Sequence, residues 1–497
     1  MTITRRSLLA GALVGGAAAS TGLLSACAKG ADSAAASSGA ASGGATAVTG
    51  SAIPSASQMA ISAAELTPFA PFAWQEFNGE ALFAMGGCTS QVAEPGELFR
   101  IFQTINAQSG NPADPGPEAF DAYCQAFGAF GDQLAQLAQS SGSHPVTQRT
   151  RLLRASQYAT QQLFFILGGS QGSTEEQVFN TVESRWNAAA KLFQPAAEQF
   201  EVQSEFGPIP GYFFAPDTSK DRKPTIIISS GSDGQNVESM QFGVTAGLQR
   251  GYNVVLFEGP GQMTPLFVRN VVFTTEWDKV VGPVLEWTKA RGDVGKIGLI
   301  GVSFAGMLCA RAAANLQGLS AVVLEPGAVS YGDLWQDQGD VTTVRNTMNL
   351  PPDQKQAAQQ KLNTEFQQAF TSLPRSTQFN IYKRGSILTQ QTQSDARANK
   401  PLSDYYGLLE ALVSFDYTAD YGKIKIPTMI TANEGDQFFA QQGAQGYALL
   451  TNVPPDQKSL LQLTAAQGAQ LHDQPNGPTV AQEYIFDWLG PFLGAGQ

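Results

Sequence analysis

The chain has 497 residues, with 42 acidic against 30 basic side chains and a formal net charge of −12. That balance excludes a nucleic-acid binder resting on a basic footprint, and only 2 histidines exclude a histidine-rich or polynuclear metal centre. At 43% hydrophobic the chain is not disordered as a whole, and at 14% charged its surface must rely on neutral polar groups.

The first segment reads as an address. Arg5-Arg6 precede a mild Ala/Gly-rich apolar run from Leu8 to Ala26, too weakly hydrophobic for a membrane span. The run ends in Leu24-Ser25-Ala26-Cys27, the pattern of a lipobox. Residues 1–26 are therefore predicted to be a twin-arginine signal peptide, with Cys27 as the lipid attachment site. Residues 27–58, mostly Ala, Ser, Gly and Thr, have too little apolar surface to offset their ordering entropy and are expected to form a disordered tether. The expected location is outside the cytoplasm, lipid-anchored to a bacterial membrane on its periplasmic or extracellular side.

Residues 59–200 are predicted to form a helical cap domain. Phe120, Tyr123, Phe127 and Phe130 recur at helical steps, as do Leu152, Leu153, Tyr158, Leu163, Phe164 and Leu167. Val178, Val182 and Trp186 make a further face, and no strand alternation interrupts them. Three cysteines remain after Cys27: Cys88, Cys124 and Cys309. A Cys88–Cys124 disulfide is left open, and Cys309 is expected to be packing. His144, beside Pro145 in a Ser/Gly stretch, is expected to be an exposed loop residue.

From about residue 201 the period changes, and residues 201–497 are predicted to form one α/β domain. Glu201–Gln203 and Tyr212–Phe214 read as early strands, with Gly207-Pro208 and Pro210-Gly211 as turn markers. Thr225–Ile228, Asn253–Phe257, Lys296–Ile300, Ala321–Leu324, Pro427–Thr431 and Leu460–Leu463 read as buried strands. Helices fall between them, over about 237–250 with Gly251 at its C-terminal cap, over 304–317 and over 479–493. Strands alternating with helices predict a mostly parallel, doubly wound sheet. A helical insertion over about 331–421, with Leu362, Phe366, Ala369 and Phe370 on one face, separates two of the strands.

The chemistry falls at strand ends. Gly301-Val302-Ser303-Phe304-Ala305 follows a strand and opens a helix, and small residues two before and two after a serine permit the sharp turn that projects its hydroxyl. Ser303 is therefore the candidate nucleophile. A serine hydroxyl needs a base; chain order selects His472, after the last strand, over His144. Asp436, after the preceding strand, is preferred to Glu434 as the acid that holds the imidazole tautomer. The oxyanion hole is expected from the backbone N–H of Phe304 and of Ser232, with Asp233 the alternative.

These features resemble the α/β-hydrolase superfamily. The strings Ser230-Gly231-Ser232-Asp233-Gly234, Arg250-Gly251-Tyr252-Asn253-Val254, Gly259-Pro260-Gly261-Gln262, Trp277-Asp278 and Gly435-Asp436-Gln437-Phe438-Phe439 narrow the resemblance. They resemble a branch with an N-terminal helical cap that includes 2,6-dihydropseudooxynicotine hydrolase and fungal polyketide-shortening hydrolases, over residues 120–493. Met263, Ala305 and the Gln470-Leu471-His472-Asp473 stretch depart from that pattern. The resemblance implies cofactor-free cleavage of esters, amides or C–C bonds of β-dicarbonyl compounds. It also implies an additional acidic residue after the nucleophile strand, for which Glu325 and Asp333 are the candidates.

The expected function is a serine hydrolase acting through an acyl-enzyme on a small, fairly apolar carbonyl compound, an ester or a β-dicarbonyl C–C bond. An amidase or exopeptidase is the alternative, although no acidic motif in the cap marks an amine site. A non-catalytic ligand-binding lipoprotein is the third reading. No metal or organic cofactor is implied. The expected partners are a small-molecule substrate and, through the lipid, a membrane, and a homo-oligomer is left open.

Overall fold

The computed structural model describes residues 69–494 apart from 141, 336, 440 and 441. The expected signal peptide, Cys27, the expected tether and the first residues of the expected cap lie outside the described residues.

The cap is helical as its aromatic periodicity requires: α1 (Gln75–Gly86), α2 (Pro95–Ser109), α3 (Pro117–Ala138), α4 (Pro145–Phe165) and α5 (Glu175–Ala190). Helices α2 to α4 each open on a proline, whose missing N–H has no intrahelical partner there and whose fixed φ suits the first turn. Inside, Phe77 stacks on Tyr123 at 4.8 Å and meets the edge of Phe165 at 4.7 Å. His144 is exposed, as expected, and its ring nitrogen accepts from Val146 N–H to cap α4.

The sheet contains β1 (Glu198–Ser204), β2 (Gly207–Phe214), β3 (Lys223–Ser229), β4 (Asn253–Phe257), β5 (Val294–Val302), β6 (Leu319–Glu325), β7 (Thr428–Thr431) and β8 (Lys458–Leu461). Their order is β1-β2-β4-β3-β5-β6-β7-β8, antiparallel at β1–β2–β4 and parallel elsewhere. The two-residue side-chain period assigns the two faces. Ile227, Val255, Leu299 and Val322 enter one core layer, and Ile226, Ile228, Val254 and Ile300 enter the other. Between β3 and β5 run α6 (Val244–Gln249), α7 (Met263–Phe267) and α8 (Trp277–Lys289); α9 (Phe304–Asn315) joins β5 to β6.

The insertion supplies α10 (Gln338–Thr347), α11 (Pro352–Phe370), α12 (Arg375–Gly385), α13 (Gln390–Arg397), α14 (Tyr405–Ser414) and α15 (Thr418–Tyr421). Leu362, Phe366 and Phe370 are its buried face, as their spacing predicts. Helix α12 packs against the cap through Phe379, whose ring lies 4.9 Å from Phe120 and 5.5 Å from Phe165. The chain ends in α16 (Gln442–Leu449) before β8 and α17 (Pro478–Leu493) after it.

Two expectations need correction, and one open question closes. Pro208, Pro210 and Gly211 are not turn residues but lie within β2, paired with Gln203, Glu201 and Phe200. The prolines are tolerated because they precede the stretch, Gly211–Phe214, that pairs with β4. The helix expected over 237–250 is broken: a short 3₁₀ turn at Glu238–Met240 is separated from α6 by Gly243, whose φ is 145°. Gly251 does follow that helix with φ 78°. Finally, Cys88, Cys124 and Cys309 are all free thiols; the Cys124 Sγ faces Gln162 O at 3.6 Å instead of Cys88.

Candidate active site

Ser303 sits between β5 and α9 with φ 55° and ψ −125°, a conformation that non-glycine residues rarely adopt. The surroundings hold this strained turn: Ser303 N–H donates to Glu325 O at 2.6 Å, and Gly306 N–H to Ser303 O at 2.8 Å. A Cβ on Gly301 would collide with the Ala305 carbonyl, so the glycine two residues before the serine is required by close backbone approach.

The turn aims Ser303 Oγ at His472 Nε2, 2.9 Å away. On the other side of the ring, His472 Nδ1 lies 3.0 Å from Asp436 Oδ2. Asp436 is fixed in turn: its other oxygen accepts from the backbone N–H of Phe438 and Phe439 at 2.9 and 2.8 Å. Burial disfavours the Asp436 carboxylate, but His472 and those N–H groups outweigh it and hold its pKa below the ordinary value. Glu434 is exposed and accepts from Ala465 N–H, away from the imidazole.

The loop after β3 wraps the nucleophile. A Cβ on Gly231 would come within 2.6 Å of Ser303 Cβ, so only glycine lets this backbone approach. Residues Ser230–Gly234 line the cavity above Ser303. Phe304 is the first residue of α9, so its N–H has no acceptor within the helix.

Gln262, flagged only as part of Gly-Pro-Gly-Gln, turns out to tie this loop down. Its buried amide donates to Ser230 O and to Gly231 O, the latter at 3.1 Å, while Oε1 accepts from Gly259 N–H at 2.9 Å. Gln262→Ala is expected to lower kcat by about 10–100-fold through a misplaced loop, with KM little changed. Steady-state kinetics decide this, and an unaltered kcat would remove the role.

A cavity of about 820 Å³ opens above Ser303 and His472. Phe83, Phe164 and Phe165 of the cap and Phe379 of the insertion line it, so the insertion forms part of the wall. The cavity is not uniformly apolar. Asp233 pairs with Lys383 at 3.0 Å and with Arg384 at 2.8 Å, joining the loop after β3 to α12. Burial opposes the Asp233 carboxylate, yet these two cations hold its pKa far below the ordinary value. Lys383 also donates to Leu163 O of the cap at 2.9 Å.

Two acids that the sequence reading passed over face this cavity. Glu76 and Glu80 stand one turn apart on α1, and each has a buried Oε2 without a hydrogen-bond partner. Burial raises both pKa values, strongly for Glu80, where Asp233 and Glu238 add to the effect. Their i, i+4 spacing was visible in the sequence, but nothing in it said which face of α1 meets the cavity.

Of the two further acids considered, Asp333 is exposed and pairs with Arg345. Glu325 ends β6, is 2% exposed and lies close to His472 and Asp473. Asp473 lies 3.3 Å from His472 Nε2, on the same side of the ring as Ser303. Among the described residues no group of three or more His, Cys, Asp or Glu could hold a metal ion.

The parallel sheet, the strained serine turn and the cap define a hydrolase of the α/β-hydrolase fold. Residues 208–469 match the model of the X-Pro dipeptidyl-peptidase (S15) family. This match spans more than half of the chain, and the chain belongs to that family. An α/β hydrolase of Aspergillus fumigatus is 28% identical over 255 residues, which are 48% of this chain and 55% of the relative. The 20-hydroxy-prefusarin hydrolase of Gibberella moniliformis is 26% identical over 269 residues, 49% of this chain and 59% of the relative. The chain thus matches little more than half the length of these relatives. The crystal structure of 2,6-dihydroxy-pseudo-oxynicotine hydrolase superposes with a TM-score of 0.56 at 18% identity, over 83% of this chain and 97% of that one.

Proposed function

We propose that the protein cleaves a small carbonyl compound through an acyl-enzyme, with Ser303 as nucleophile, His472 as base and Asp436 as orienting acid. The observation that carries this reading is the unbroken path from Ser303 Oγ through both imidazole nitrogens to Asp436 Oδ2, in steps of 2.9 and 3.0 Å. His472 Nε2 takes the hydroxyl proton as Oγ bonds to the carbonyl carbon. The N–H groups of Phe304 and Ser232 receive the oxyanion. His472 then returns the proton to the leaving group, and a water deprotonated by the same nitrogen releases the acid.

The aromatic walls support a substrate with an apolar body, and the relative named for 20-hydroxy-prefusarin supports a small organic compound. An ester or a β-dicarbonyl C–C bond fits this reading. Export through Arg5-Arg6 and lipid attachment at Cys27 belong to the same proposal and rest on the sequence alone. The test is turnover of aryl esters, β-diketones and aminoacyl anilides by the full chain. Cleavage of the first or second class supports the proposal. Tight binding of such compounds with none cleaved would favour a non-catalytic binding protein.

Glu76 and Glu80 favour a second reading, an amidase or exopeptidase whose substrate carries an ammonium group, and the family's description is consistent with it. On that reading Glu80→Gln raises KM for amine-bearing substrates by about tenfold or more, since a charge-assisted hydrogen bond contributes roughly 1.5–3 kcal/mol. KM for neutral esters stays unchanged. An equal change for both substrate types would remove the amine subsite.

A further inference from the structure

His472 has three carboxylates around it where the proposed mechanism uses one. Asp436 faces Nδ1, while Asp473 Oδ2 stands 3.3 Å from Nε2, the nitrogen that must take the Ser303 proton. Glu325 lies near both His472 and Asp473, close enough that the Asp473 charge opposes its ionisation. All of these side chains are buried: Asp473 is 5% exposed and Glu325 2%. Asp473 Oδ1 and Glu325 Oε2 each lack a hydrogen-bond partner among the described residues.

Each of the two buried carboxylates keeps one oxygen without a partner although Gln474 bonds Glu325 and the Ser303 backbone bonds Asp473, so ionising both is costly and a single shared proton relieves the conflict. Asp473 also adopts φ 52°, in the left-handed region, so the backbone accepts an unusual conformation that brings its carboxylate to the imidazole.

We propose that Asp473 is a positioning residue for His472, with the buried Glu325 carboxylate nearby, and that Asp473 sets the pH at which Ser303 becomes nucleophilic. The inference rests on the reading of His472 as the base of Ser303. When Asp473 is ionised it holds the imidazolium form by accepting from Nε2–H, so the base is occupied. Only as pH rises and the imidazolium loses its Nε2 proton is that nitrogen free for the serine hydroxyl.

The electrostatics agree with this geometry. Burial alone would depress the His472 pKa, but Asp473 and then Asp436 outweigh it and lift it to about 9; the Arg384 cation opposes them. Burial pushes Asp473 up to about 7 against the pull of His472. Glu325 is pushed up to about 8 by burial first and by Asp473 second. The free-base form of His472 therefore grows as pH rises toward 9.

The chain has only 2 histidines, which makes a direct measurement practical. His144→Gln leaves one imidazole, and histidine-selective ¹⁵N labelling of that variant reports the His472 titration without any substrate. The parent is expected to titrate well above the ordinary value of about 6.5. Asp473→Asn should move the midpoint down by about one pH unit or more, because it removes an opposite charge within 4 Å. Asparagine tolerates the left-handed backbone, so this variant keeps the turn.

Glu325→Gln should leave the midpoint unchanged or raise it, because Asp473 then ionises more readily. A general loosening of the site would lower it in both variants. An unmoved midpoint in Asp473→Asn, or a fall of equal size in both variants, overturns the proposal. The pH profile of fluorophosphonate labelling should follow the same midpoints. Labelling that persists in Ser303→Ala would instead overturn the serine mechanism, so the two failures are distinguishable.

Discussion

Ser303→Ala is expected to lower kcat by up to about a millionfold, leaving only what substrate binding and the oxyanion hole supply. The reason is geometric: Oγ is the atom aimed at His472 Nε2 at 2.9 Å, and the neighbouring backbone is strained to aim it. Incubating the parent with a fluorophosphonate should add one adduct by intact mass, and the alanine variant none. His472→Ala should cost about as much alone as in combination with Ser303→Ala, because nucleophile and base act as one unit. Multiplying losses, or turnover retained without Ser303, would mean that another group performs the attack.

Asp233→Ala should be the next most damaging change, through two separable effects. Lys383 and Arg384 would lose their shared carboxylate while only 11% and 27% exposed. Breaking a buried pair from one side costs about 3–5 kcal/mol, and the partial exposure of Arg384 points to the lower end. The stabilising contribution is complete above the unfolded carboxyl pKa of about 3.9, because the folded value is depressed. It is lost only as pH falls through that lower folded value.

The second effect concerns catalysis. Asp233 adjoins Ser232 in the loop proposed to hold the oxyanion, and its ion pairs anchor that loop to α12. A fall in kcat of about 100-fold is expected even where the variant remains folded. The triple variant Asp233→Leu, Lys383→Met, Arg384→Met separates the two effects. Replacing all three charges with apolar groups should restore the melting temperature without restoring kcat. Recovery of both would show that the ion pairs serve packing alone.

Much of this site was legible because its parts are local. Gly301, Ser303 and Ala305 encode a strand-to-helix turn within five residues, and β3 to β7 show as apolar runs because both faces of the sheet are covered. With 2 histidines in the chain, the choice of a candidate base came down almost to counting. The strand β2 was misread in part for the complementary reason. Pro208 and Pro210 carry strong local turn preferences, and only the position of β4 shows where a proline can sit in the sheet.

The sequence by itself determined the class of the sheet and the helical character of the cap, and it singled out Ser303, Asp436 and His472 as the candidates for the proposed triad. Each depends on periodicity or on a short motif, and both act over a few residues. Tertiary structure alone decided the rest. It brought Gln262 to the loop after β3, Lys383 and Arg384 to Asp233, Glu76 and Glu80 to the cavity, and Glu325 to Asp473. Such pairings join residues tens to hundreds of positions apart, and the cost of burying each charge is settled only by which partner the fold delivers.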